Sequence, residues 1–553
     1  MIVSVVFLCL AALMGLAWLT FDKWSTKWGG WLAKKKPISN EGRELNPKST
    51  LDHENKGTFY LELSDGEDPV ILSEKIRYEH IQALGSTGTG KTYNLIKPAF
   101  KQDIMRGAGV INFDVKSNMD EAMLGYAREF GRGHDFLRFQ LKDPDNSLTY
   151  NPFVGENPIE VANRVWTAFF QSDKTQTGYY REEALSFCRA FFGQCHTLGV
   201  LPTLKQLLNC LMDQALMEQL ANLAPETEDA HFIVQRYLQM TRKDYMALFS
   251  GFVNKVAPFT RGSLARLFDT TSPQIVMADV IKRSRLLYFG LASDIYPADY
   301  KIISTMALLD IQSSLTARYM TDEPGIFCYL DEFGELVFEG FPTFIQKSRE
   351  AKIGLVLAHH SFGQLKAIGG DAFVDTILNL ARNKVAFCIG DPNTAELLAK
   401  LSGTLTKKEE LVNYSLVEGK KAKGMTEVMY EEFVIHPNAL KTQRKGEAFL
   451  IVQRDESTRQ LFHRKTMLKA TPVKPDFAYP YSTKSFEPIT IFKPLVFEKS
   501  KPISRTDRSN KMETDLGASG PKNKAKDPKK EKGSEPKKPK KPKDRDDDIE
   551  DVA

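Results

Sequence analysis

The sequence predicts an α/β fold interrupted by an all-helical insertion, and three features predict it. Short, continuously apolar segments recur along the chain: VINFD at 110–114, LLYFGL at 286–291, IFCYL at 326–330, IGLVLA at 353–358 and KVAFCIG at 384–390. Helical periodicity separates them, as at 299–317, which is the pattern of a parallel sheet buried on both faces. A glycine-rich loop at 85–92 follows the apolar run containing Ile81, Ala83 and Leu84 and opens a helical segment. From 158 to about 256, by contrast, strand signals vanish and helical periodicity marks 159–170, 182–196, 204–223 and 230–249.

The elements follow in order. Residues 2–21 (IVSVVFLCLAALMGLAWLTF) carry no charge, and a span needs about 20 apolar residues. No basic region precedes this run and no small-residue cleavage site follows it, which favours a retained anchor at 1–21 over a cleaved signal peptide. Lys23, Lys27, Lys34, Lys35 and Lys36, interleaved with Trp18, Trp24, Trp28 and Trp31, read as an interfacial belt and a positive flank, so the bulk of the chain is expected in the cytoplasm behind a single pass. Residues 22–55 are a polar juxtamembrane linker, and 58–63 fit an edge strand. The first part of the α/β domain is expected at 56–155, the all-α inserted domain at 156–256 and the second part at 257–495. The remaining 496–553 is rich in Lys and Pro and nearly free of apolar residues, so it predicts a disordered tail that cannot bury enough surface to offset its chain entropy. Contact with nucleic acid, anionic lipid or an acidic partner is one reading of that tail, and a solvated linker is the other.

Lys and Arg number 75 against 70 Asp and Glu, a net charge of +5, so any nucleic-acid footprint must come from local patches. The six cysteines are scattered without a CxxC pair, which argues against a zinc site and for thiols in a reducing compartment.

Gly85-Ser86-Thr87-Gly88-Thr89-Gly90-Lys91-Thr92 is a full G-x-x-x-x-G-K-[ST] match between a strand and a helix. In such a loop the glycines let backbone N–H groups turn inward, the lysine reaches the β and γ phosphates of ATP, and the threonine hydroxyl binds Mg²⁺. The complementary acids end the apolar strand at 326–330: Asp331 is expected to hold the Mg²⁺, and Glu332 to orient and activate the attacking water. The Asp-Glu order favours hydrolysis over nucleotide sensing.

With the loop, Asp114-Val115-Lys116, Tyr150-Asn151-Pro152-Phe153, LDEFGEL at 330–336, Lys347-Ser348-Arg349, HHSFGQL at 359–365 and Gly446-Glu447-Ala448, the chain resembles the type IV coupling proteins. These are RecA-like P-loop ATPases of bacterial conjugation and type IV secretion, and the likeness runs from about residue 80 to 455. It implies an inner-membrane homo-hexamer, with Arg349 as an arginine finger entering a neighbour's site; as a residue of a K-S-R-E run it also fits a helix surface. It further implies a sensor at the polar run after IGLVLA, with Gln364 matching a family glutamine and His360 standing where the family usually has another. A neutral imidazole can donate one hydrogen bond but cannot offer the paired donor and acceptor geometry of an amide. The stretch after Asp114 lacks the family's Pro and Gly, and one anchor stands where two are common. The implied cargo is single-stranded DNA with a relaxase-like protein, passed to the secretion channel. Three other readings share these motifs: a coupler for protein effectors without DNA, a nucleotide-binding docking scaffold at the membrane, and a pump for double-stranded DNA.

Overall fold

A computed structural model describes residues 59–61, 70–170, 178–319, 324–417, 420–453, 461–467 and 493–497. The expected anchor at 2–21, the juxtamembrane linker and the tail beyond 497 lie outside the described residues. The chain divides after Phe497, and every element below belongs to the first unit. Among the described residues, no helix is long and apolar enough to cross a membrane.

The edge strand expected at 58–63 is β1 (Phe59–Leu61), paired antiparallel with β2 (Val70–Leu72) in a small ribbon. The main sheet then begins with β3 (Ile81–Leu84), β4 (Gly109–Asp114) and β5 (Phe136–Gln140). A short β6 (Val200–Leu201) lies in the helical region, after which the sheet resumes with β7 (Leu286–Gly290), β8 (Ile326–Asp331), β9 (Ile353–His359) and β10 (Asn383–Ala386). Next come a hairpin, β11 (Thr404–Val417) and β12 (Lys420–Phe433), and two further sheet strands, β13 (Glu447–Gln453) and β14 (Leu461–Met467). Last is β15 (Lys493–Pro494), which pairs with β6. The main sheet has nine strands in the order β14-β13-β10-β3-β9-β8-β4-β7-β5. The seven from β10 to β5 run parallel, and β13 and β14 add an antiparallel edge.

The central strands read as unbroken apolar runs because both of their faces are covered. Val110, Tyr288, Tyr329 and Val356 pack with Phe100, Ile104 and Met123 on one side. Ile111, Phe113, Phe289 and Leu357 join the core shared with the inserted helices on the other. Successive side chains of a strand point to opposite faces, so one run supplies both cores.

Two helices anticipated in the insertion are each broken in the fold. Asp213 leaves helical geometry between Leu204–Met212 and Gln214–Asn222, and its carboxylate caps the second by accepting from the Ala215 N–H. Thr241 does the same at the start of Arg242–Val256, separating it from Glu228–Arg236. Local side-chain bonds of this kind compete with continuous helix. The insertion packs around aromatic rings, among them Phe187, Tyr237, Tyr245 and Phe249. The 14-residue strands of the β11–β12 hairpin had no counterpart in the sequence reading, because their polar and apolar residues mix without clean alternation.

The Tyr150-Asn151-Pro152-Phe153 motif is the joint between insertion and sheet. The Asn151 amide donates to the carbonyls of Pro202 (3.0 Å) and Thr270 (2.8 Å). Arg164, on the insertion's first helix Pro158–Phe170, donates to the Pro152 carbonyl at 2.7 Å and pairs with Asp310 at 2.9 Å. Asp310 lies on Asp299–Ser314 and also accepts from the Tyr150 hydroxyl at 2.8 Å. Burial pushes the Asp310 carboxyl up to about 6, against the pull of Arg164 and Tyr150. Removing one member of a buried pair leaves an uncompensated charge, so Asp310→Ala should cost about 3–5 kcal/mol. The exposed pair Arg266–Asp145 should be worth less than about 1 kcal/mol when Arg266 becomes Ala. Chemical denaturation of both variants checks the contrast.

Candidate functional site

The glycine-rich loop leaves β3 at its carboxy-terminal end, where ligand sites of parallel α/β sheets form. Gly85, Gly88 and Gly90 have φ of 156°, 79° and 110°. A Cβ on Gly85 would lie 2.8 Å from both Phe387 Cβ and Thr89 Oγ1, and one on Gly90 would lie 2.6 Å from Asn94 Oδ1, whereas Gly88 faces open space. The loop is fastened on two sides: Ser86 N–H donates to the Cys388 carbonyl at 2.9 Å, and Gly446 N–H donates to the Thr89 carbonyl at 3.0 Å. Gly446, noted in the sequence as a closing motif, thus holds the loop from the antiparallel edge. Thr87 lies at the turn of the loop. The following helix opens with a wide π-type turn, Lys91–Ile96, and tightens to α over Lys97–Met105.

The other site residues sit at the ends of neighbouring strands. Asp331 is the last residue of β8, and its carboxylate accepts from the Thr92 hydroxyl at 2.9 Å. Burial pushes Asp331 up to about 6, and that hydrogen bond opposes the shift. Glu332 adopts a left-handed backbone (φ 65°) that turns the chain sharply into the helix Phe333–Leu336. One of its carboxylate oxygens meets Lys116 Nζ at 2.5 Å and the other meets His360 Nε2 at 2.8 Å. Burial works against the Glu332 charge, but the Lys116 hydrogen bond and the charges of His360, Lys116 and Lys91 outweigh it and hold the carboxyl below its ordinary range.

Strand β9 lies between β3 and β8, so His360, the residue after its end, reaches both flanking strands. A carboxylate only accepts, which places a proton on His360 Nε2, while Nδ1 lies 3.2 Å from Lys91 Nζ and 3.1 Å from the Gly85 carbonyl. Lys91 also donates to the carbonyls of Gly85 (2.5 Å) and Ser86 (3.2 Å). Burial lowers its pKa, with Glu332 and Asp331 opposing. His360 therefore connects the loop lysine to Glu332, a role its departure from the family glutamine did not suggest. Gln364 accepts from the His360 N–H at 3.0 Å, so it sets the backbone of His360 and reaches the site only through that residue.

Arg349 is not brought to this cluster. It lies in the last turn of the helix Phe341–Glu350, ahead of β9, and pairs at 2.5 Å with Glu79, which precedes β3. β9 has seven residues, roughly 20 Å at about 3.3 Å per residue, so Arg349 lies at the opposite edge of the sheet from the loop of its own chain. Glu79 also meets Arg382 at 2.8 Å. Next to it, His80 Nε2 donates to the Ile345 carbonyl at 3.1 Å and its Nδ1 accepts from Leu355 N–H at 3.1 Å, tying the Arg349 helix to the base of β3.

Sequence reasoning attributed no site role to Lys116, Glu79 or His80. The motif Asp114-Val115-Lys116 was the available signal for the first, and its two charged residues divide the work. Asp114 is buried and accepts from the N–H groups of Lys116, Asn118 and Met119 and from the Tyr288 hydroxyl, which fixes the turn after β4 and leaves the Lys116 side chain free to reach Glu332. Nothing local marked Glu79 and His80, whose partners are hundreds of residues away.

Residues 326–445, from the start of β8 through the long hairpin, match the family model described as the TraM recognition site of TraD and TraG. That stretch is the C-terminal domain of the TraG/TraD coupling-protein family. The chain is also 28% identical over 103 residues to an uncharacterised protein of Mycoplasma pneumoniae, a match spanning 19% of the chain and 69% of that protein. Its fold is that of the conjugative coupling protein TrwB. The unbound form superposes with a TM-score of 0.55 at 15% identity, covering 74% of this chain and 89% of TrwB. The complex of TrwB with ADP and Mg²⁺ gives 0.51 at 15% identity, covering 73% and 88%.

Two buried histidines make the protein's stability depend on pH. Burial lowers His80 to about 3 and His359 to about 4, against about 6.5 in an unfolded chain. The unfolded state therefore takes up protons that the folded state refuses, and stability is full above about pH 6.5 and falls on acidification, by up to about 1.4 kcal/mol per pH unit for each histidine. Denaturation midpoints measured from pH 7 to 4.5 should decline, and His80→Gln, though less stable at pH 7, should decline less steeply.

Proposed function

We propose that this chain is a membrane-anchored ATPase that couples hydrolysis to delivery of single-stranded DNA, with an attached relaxase-like protein, into a type IV secretion or conjugation channel. The observation that carries the ATPase reading is the convergence of Lys91, Thr92, Asp331 and Glu332 at the ends of adjacent parallel strands. The donor set fits an ATP triphosphate with Mg²⁺. The glycine turns leave an open cradle at Gly88, Lys91 supplies a cation for the β and γ phosphates, and the Thr92–Asp331 oxygens are the hard donors that Mg²⁺ takes. When bound, Mg²⁺ would neutralise charge on the phosphates. Glu332, held ionised, is the acceptor for a proton from the attacking water, and His360 fixes Glu332 relative to Lys91.

Arg349 lies too far from its own chain's loop to serve it, which supports action on a neighbouring subunit in a homo-hexameric ring. The apolar 2–21 segment with its basic flank supports a single-pass location in the bacterial inner membrane. The family description supports a partner in the conjugation machinery, because it names a recognition site for TraM. Protein cargo without DNA is the second reading. It is favoured by the inserted domain, where Tyr179, Tyr180 and Phe232 are exposed close to Arg236, which reaches the Tyr179 hydroxyl.

Full-length protein in detergent should hydrolyse ATP, and Glu332→Gln should lose roughly 10²–10⁴-fold in kcat, the usual worth of a general base. Stimulation by single-stranded DNA that weakens with salt is the expected outcome. Hydrolysis indifferent to DNA would favour protein cargo, and no hydrolysis by folded protein would leave a docking scaffold. Lys91→Ala and Arg349→Ala should each be inactive alone, the latter by about 10³-fold or more, yet regain activity when mixed, because an Arg349 on a Lys91→Ala subunit can serve an intact neighbouring site. Failure of the mixture to recover would sink the trans role of Arg349.

A further inference from the structure

The site contains one charged side chain that the proposed reaction has not used. Lys116 lies just past the end of β4, and its ammonium meets Glu332 Oε1 at 2.5 Å while His360 takes Oε2. Its side chain is 57% exposed and that of Glu332 is 10% exposed, so the pair stands at the boundary between the site and solvent. Surface ion pairs of this kind commonly contribute almost nothing to stability, which leaves open what Lys116 contributes.

Three features of the surroundings answer this. Glu332 follows the end of its strand in a left-handed conformation, and its two carboxylate oxygens meet Lys116 and His360. Lys116 is itself carried on a rigid base, since Asp114 binds the backbone N–H groups of Lys116, Asn118 and Met119 and Ser117 Oγ accepts from Ala292 N–H at 2.7 Å. Strands β4 and β8 are direct neighbours, with Asp114 opposite Asp331, so the distance between the two turns is fixed by the sheet. Lys116 and His360 approach the two oxygens of one carboxylate from strands on either side of β8.

We infer that Lys116 is a positioning residue for Glu332: with His360 it clamps the carboxylate by both oxygens and sets where its lone pairs point. This rests on the reading of Glu332 as the base. Misplacing a reacting group by about 1 Å can cost about 10²-fold in rate, which is far more than the ion pair is worth to stability. The motif lysine is then kept for aim, and the loss of the family's flanking Pro and Gly is compensated by the Asp114 and Ser117 bonds that hold its turn.

The test is steady-state ATP hydrolysis by the full-length protein carrying Lys116→Met, Lys116→Arg or Glu332→Gln, with thermal unfolding recorded for each. Lys116→Met should lower kcat about tenfold or more with KM for ATP and the melting temperature little changed, and Lys116→Arg should recover most of the rate because a guanidinium restores the cation. A Lys116→Met enzyme with wild-type kcat beside an inactive Glu332→Gln would overturn the role of Lys116 alone. A rise in KM with kcat kept would overturn it too, placing Lys116 on the nucleotide. Undiminished hydrolysis by Glu332→Gln would remove the base reading, and this inference with it. If Lys116→Met melts early, the Arg variant decides: full activity at the wild-type melting temperature supports positioning, and a tenfold loss in it overturns the requirement for a simple cation.

Discussion

The placement of β9 between the strand that leads into the glycine-rich loop and the strand that ends in Asp331 is the constraint on which the site depends. Adjacent strands in a sheet lie about 4.8 Å apart, so β3 and β8 are held about 10 Å from each other and no side chain of one lies directly beside the backbone of the other. The residue after β9 fills that interval. In this chain it is His360, whose two ring nitrogens face opposite ways and so suit a bridge from Lys91 on one side to Glu332 on the other.

The same sheet separates two jobs to its two edges. Residues that gather around the loop all follow the carboxy-terminal ends of parallel strands, whereas Glu79, His80, Arg349 and Arg382 gather where strands begin. His80 is buried and neutral and spends both ring nitrogens on backbone groups of the Arg349 helix and β9. His80 thus ties the Arg349 helix to the base of β3. The inserted domain is joined through buried polar groups: Arg164 on its first helix pairs with Asp310, which also accepts from Tyr150, and Asn151 donates to the carbonyls of Pro202 and Thr270. Such a joint stabilises a defined orientation, since breaking it strands a charge in the core.

Much of this was legible in the residues themselves. The loop at 85–92 and the Asp331-Glu332 pair announced their chemistry because backbone curvature, phosphate charge and metal binding restrict which residue types can serve. The central strands announced themselves because burial on both faces demands unbroken apolar runs. The breaks at Asp213 and Thr241 were not legible, since a capping side chain and an ordinary polar residue on a helix surface look alike until the backbone turns. The long hairpin was likewise hidden, because its polar and apolar residues mix without clean alternation.

By itself the sequence determined the α/β class, the helical insertion and the candidates for a phosphate and metal site, because each depends on local spacing and on hydrophobic periodicity, both of which are written along the chain. Only the tertiary structure decided that Asp114 is a structural cap, that Lys116 and His360 converge on Glu332, and that Arg349 faces away from its own loop. Those relations are set by the order in which strands lie side by side. Strand order is a property of the closed sheet, where residues far apart in the chain become neighbours at about 5 Å, and no local pattern encodes it.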